Sequence, residues 1–139
     1  MKKFVHLLFF SSLLFSQVSY NHPELSWQTI ETNHFRIHFY EDTEQSARHG
    51  AAIAEKVYKP ITDLYNYEPF DKTDIVFTDV DDISNGAAYF YDNKIIIWTS
   101  PLDYELRGSH RWLQNVITHE FTHIVSIQKA QKFGKSIPG

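Results

Sequence analysis

The chain contains no cysteine in its 139 residues. That excludes a disulfide framework, a thiolate nucleophile, a Cys-ligated metal and a lipoprotein anchor at the N-terminus. Any metal must be held by His, Asp or Glu. Basic charge is not in excess: 13 Lys and Arg stand against 17 Asp and Glu, for a formal net charge of −4. A nucleic-acid binder held by a basic surface is thereby excluded. No internal repeat or low-complexity tract is present, and no segment after residue 20 is apolar enough to span a membrane. Hydrophobic residues at 42% and aromatics at 16% exclude a chain disordered by composition. The length predicts one domain with a modest core.

The first residues read as an address. Lys2 and Lys3 form a basic start, and Phe4 to Phe15 is an apolar run broken only by His6, Ser11 and Ser12. The run suits the apolar region of a signal peptide and is short for a membrane span. Residues 1–19 are therefore expected to be removed on export, with residues 20–139 forming one domain. Removal takes the formal charge from −4 to −6, because Lys2 and Lys3 are the only charged side chains in the segment. The membrane enters this reading only through the signal peptide. The mature protein is expected in the periplasm, at the cell surface or in the medium.

Trp27–Thr32 and His34–Tyr40 read as strands, the second with Phe35, Ile37 and Phe39 alternating with His34, Arg36 and His38. A helix follows, capped by Asp42 or Thr43. Ala47, Ala51, Ala54, Tyr58, Ile61 and Tyr65 recur at spacings of three and four, one face of an amphipathic helix that Pro60 should kink or split. Asp74–Thr78 reads as a buried strand, and Asp79–Asn85 as an acidic loop. Ala87–Tyr91 and Lys94–Thr99 read as strands joined by an Asp92-Asn93 turn. A last helix is expected from about Ser109 to Lys132, ended by Gly134 and Pro138. The sum is an α+β unit: a small mixed sheet, a kinked amphipathic helix and a C-terminal helix.

That last helix carries His119-Glu120-Phe121-Thr122-His123. Histidines at i and i+4 project from one side of a helix, one turn apart, so their ring nitrogens can meet one Zn²⁺ at about 2.0–2.1 Å each. Zinc lowers the pKa of bound water toward neutrality, and a neighbouring glutamate can take the proton and pass it to a leaving amine. Glu120 interrupts the apolar stripe of Leu113, Ile117, Ile124 and Ile127, where an unpaired carboxylate is costly without a purpose. Trp112 and Val116 are expected on the histidine side.

Val116 to Val125 resembles the extended zincin signature at every position. Gly86-Ala87-Ala88, the hairpin through Ile95-Ile96-Ile97 and the connection to the helix resemble the peptidase MA-like family of gluzincins. The resemblance spans about Trp27 to Lys132. It implies a zincin-like fold and a zinc-dependent peptidase. Its ligands would be His119 and His123, its general base Glu120, and its substrate an extended peptide or protein paired to an edge strand near Gly86, Ala87 and Ala88. Similar proteins often continue into a β-propeller.

Two histidines leave a zinc peptidase one protein ligand short. The metzincin pattern would put Gly and His where Ser126 and Lys129 stand, so that branch is excluded. By resemblance, gluzincins use a glutamate about nineteen residues beyond the second histidine, and no Asp, Glu or His follows His123 here. The chain therefore reads as the N-terminal part of a longer protein, with Asp79, Asp81 or Asp82 as substitutes from upstream. His34 and His38 could pair on a metal but fit better on a solvent-facing side with Arg36 and Tyr40. His49 reads as exposed and His110 as part of a helix start. Tyr89-Phe90-Tyr91 fits a substrate cleft or a core face equally. A non-catalytic peptide-binding or surface-assembly module on the same scaffold is the alternative function, and a metal-free α+β domain a third. The 139-residue chain alone is expected to be inactive, and chelator-sensitive peptide hydrolysis by it would overturn this reading.

Overall fold

A computed structural model describes residues 22, 24–80, 85–100 and 111–134. The expected signal segment, Asp81, Asp82, Ser109 and His110 lie outside the described residues. The elements are β1 (Gln28–Glu31), β2 (Phe35–Phe39), a single 3-10 turn (Glu41–Thr43), α1 (Glu44–Tyr65), β3 (Thr73–Thr78), β4 (Gly86–Tyr89), β5 (Lys94–Trp98) and α2 (Trp112–Gly134). The five strands form one mixed sheet in the order β1-β2-β3-β5-β4. The central trio β2, β3 and β5 is parallel, and β1 and β4 are antiparallel margins. No helix of the described residues is long and apolar enough to cross a membrane.

One face of this sheet makes the core. Ile37, Ile75 and Ile95 stand in register across the three parallel strands, with Phe77 beside Ile97 in the next row. All five are fully buried, each contributing about 1.5–3 kcal/mol by leaving water. The small residues of α1, Ala47, Ala51 and Ala54, and the inner stripe of α2, Ile117, Phe121 and Ile124, complete the same cluster. Phe121 packs edge-on against Phe35 at 5.2 Å and stacks with Tyr58 at 5.6 Å between ring centroids, which ties both helices to β2. Gly50 lets α1 approach β3: a Cβ there would lie 2.3 Å from the Phe77 ring.

Several local expectations need correction. Pro60 neither splits nor ends α1. Pro60 and Lys56 both face solvent, so water can satisfy the Lys56 carbonyl that the proline leaves without a donor. Thr43 occupies the N-cap position of α1 without a side-chain capping bond; its hydroxyl turns back and donates to the Tyr40 carbonyl at 3.1 Å. Tyr40 is buried rather than solvent-facing, and its hydroxyl accepts the Asp79 amide N–H at 2.8 Å. His34 and His38 do not share one solvent-facing side. His34 leaves the strand, stacks on Tyr58 and bonds Glu55 at 2.7 Å, whereas His38 bonds Asp74 at 2.8 Å on the outer face. There Arg36 grips Asp74 through Nε and Nη2 at 2.7 and 2.9 Å, holding that carboxyl below the usual range.

Asn93 adopts the left-handed backbone expected of its turn, with φ at 51°. Its side chain does more. It is buried, accepts from Thr73 Oγ1 at 3.0 Å and donates to the Asp71 and Lys72 carbonyls, both at 3.1 Å. Gln128 of α2 reaches the same oxygen at 3.3 Å and the Phe90 carbonyl at 3.0 Å. The amide thus locks the β4–β5 turn, the start of β3 and the distal half of α2 together. Asn93→Gly keeps the backbone conformation but leaves these groups unpaired. It is expected to lower unfolding stability by about 1–3 kcal/mol in urea titration; a neutral result would reduce Asn93 to a turn residue.

Candidate metal centre

α2 presents His119 and His123 on its exposed side. Their Nε2 atoms are 3.0 Å apart, with ring planes at 88° and centroids 4.6 Å apart. Two nitrogens bound to one tetrahedral zinc at about 2.0–2.1 Å lie roughly 3.3 Å from each other. The pair therefore fits a shared zinc with a shift of a few tenths of an ångström. Without a metal, one imidazole N–H donates to the lone pair of the other at this distance.

The pair sits in an open depression of about 590 Å³, lined by Gln114, Asn115, Thr118, His119, Thr122 and His123. All six belong to α2, which explains why they share a face: they recur at helical spacing. Thr118 and Thr122 donate their hydroxyls back to the carbonyls of Gln114 and Thr118 at 2.6 and 2.7 Å. That leaves the ring nitrogens and the Gln114 and Asn115 amides as the polar groups offered outward.

Glu120 lies on a different flank. It is 7% exposed, and its carboxylate has no hydrogen-bond partner among the described residues. It faces the sheet margin: a Cβ placed on Gly86 would lie 3.0 Å from Glu120 Cγ and 3.1 Å from Oε1. The same Cβ would meet Val116 Cγ2 at 2.3 Å. Val116 therefore lies under β4 with Glu120 while staying on the His123 side of the helix, because seven residues at about 100° each bring position 123 back to within about 20° of position 116.

Gly86, Ala87 and Ala88 all fall in β4, the margin strand, paired to Ile97, Ile96 and Ile95. Tyr89 and Tyr91 are exposed, and Phe90 packs against the core and against the Tyr91 ring at 4.0 Å between centroids. His49 is exposed, as expected. Among the described residues no third His, Cys, Asp or Glu joins the histidine pair. Asp79 does not serve: its carboxylate accepts from Ser100 Oγ at 3.0 Å and from the Ser100 amide at 3.3 Å. The Gly86–Glu120 approach escapes sequence reading because the two residues are distant in the chain; only the glycine at a strand start hints at a close neighbour.

No family model, curated protein or solved structure matches this chain.

The chain is expected to take up one zinc ion per molecule, weakly, because two imidazoles leave the ion short of protein ligands. His119→Ala or His123→Ala should each abolish uptake in calorimetric titration. Unchanged uptake in both variants would exclude this site.

Proposed function

We propose that the protein is an exported zinc-dependent metallopeptidase of gluzincin type on a zincin-like scaffold. The observation that carries this reading is the 3.0 Å approach of His119 Nε2 and His123 Nε2 on the helix that also aims Glu120 at a sheet margin. Bound zinc would supply Lewis-acid polarisation of the scissile carbonyl and acidify the attacking water. His119 and His123 would hold the ion. Glu120 accepts the proton of the attacking water and delivers it to the departing amine nitrogen. Its near-complete burial strengthens electrostatic interactions at that point. The third ligand comes from outside the described residues.

The sheet margin supports a peptide as substrate. β4 pairs with β5 on one side only among the described residues, and its other rim offers backbone N–H and C=O groups to an extended chain. Two alanines and a glycine keep that rim free of bulk. A non-catalytic peptide-binding or surface-assembly module is the second reading, favoured by the absence of a third ligand among the described residues.

Glu120→Gln in the natural protein separates the two. Hydrolysis of an unstructured protein substrate is expected to fall by about 10²–10⁴-fold with zinc stoichiometry unchanged. A wild-type rate in that variant would sink the peptidase reading.

A further inference from the structure

We propose that Gly86 is a positioning residue for Glu120: its missing side chain is the slot that lets the carboxylate stand against β4. The functional consequence rests on the metallopeptidase reading; the geometry does not.

A strand is a poor place for glycine, which gives up conformational entropy there and offers no side chain to pack. The usual compensation, a left-handed backbone, does not apply, because Gly86 does not take a positive φ in that range. It pairs in ordinary antiparallel register with Ile97. What the position requires is space. An added methyl would overlap Val116 Cγ2 at 2.3 Å and crowd Glu120 at 3.0 Å from Cγ and 3.1 Å from Oε1, inside the 3.4 Å where ordinary contact begins.

The two neighbours would answer differently. Val116 is buried at 5% exposure and stiff about χ1, so it resists. Glu120 has three side-chain torsions and no hydrogen bond among the described residues to hold it, so its carboxylate would swing away. The Val116 contact is therefore a packing matter and the Glu120 contact a functional one. Shortening Val116 removes the first and leaves the second, which allows the two roles to be read separately.

The test compares Val116→Ala with Gly86→Ala/Val116→Ala in the full chain. Thermal unfolding, zinc uptake and the NOE between residue 86 Hα and Glu120 Hγ are measured, together with kcat and KM of the natural protein. The double variant should unfold within a few degrees of Val116→Ala and bind the same zinc. It should lose the NOE, and kcat should drop about 10²-fold at constant KM, the scale expected for a misplaced reacting group. A double variant that keeps the NOE, or turns over at the Val116→Ala rate, overturns the proposal. Absence of the NOE in the wild-type protein overturns it too, whether or not the double variant folds. If the wild-type protein binds zinc but cleaves no peptide, the metallopeptidase reading falls while the NOE still decides the role of Gly86.

Discussion

Everything at the candidate centre depends on how α2 is rotated about its own axis. Ile117, Phe121, Ile124 and Val125 are wholly buried, and Phe121 is caught between Phe35 and Tyr58. With that stripe pinned to the sheet, the remaining positions have no choice of direction. Positions 119 and 123 turn outward, and position 120 turns toward β4. A rotation of one residue step, about 100°, would exchange these surroundings and bury an imidazole where the carboxylate now stands. The chemistry of the motif is thus set by apolar packing, not by attraction among its polar members.

The distal half of the helix is held by other means. Gln128 reaches into the Asn93 turn, and Tyr67 donates to Gln128 Oε1 at 3.3 Å. Lys129 donates to the Tyr65 carbonyl at the end of α1. Buried polar groups of this kind are directional where apolar contacts are not. They keep α2 from sliding along its axis, which packing by Ile and Phe alone resists less well. Axial and rotational placement of the histidine pair thus come from two different parts of the same helix.

Much of this was legible in the primary structure. The period-two alternation of Phe35, Ile37 and Phe39 and the three-four spacing of Ala47, Ala51 and Ala54 announce a strand and a helix, because each follows from backbone geometry alone. The i, i+4 histidines announce two rings side by side for the same reason, and their Nε2 atoms do lie 3.0 Å apart. What was not legible depends on partners far along the chain. Tyr40 looks solvent-facing until Asp79 is seen to need its hydroxyl. Asn93 looks like a turn residue until Thr73 and Gln128 converge on it. Gly86 looks like an ordinary strand start until Val116 and Glu120 are found beneath it. Hydropathy reports which residues leave water, not which sheet margin they meet.

The arrangement of strand directions has one further consequence. With a parallel trio inside and an antiparallel strand at each border, the border next to α2 is closed by a local hairpin and is only four residues long. Such brevity limits self-association. Four residues leave room for one short extended segment to pair but not for the long, flat contact that propagates from molecule to molecule, so a border of this size is a modest aggregation hazard.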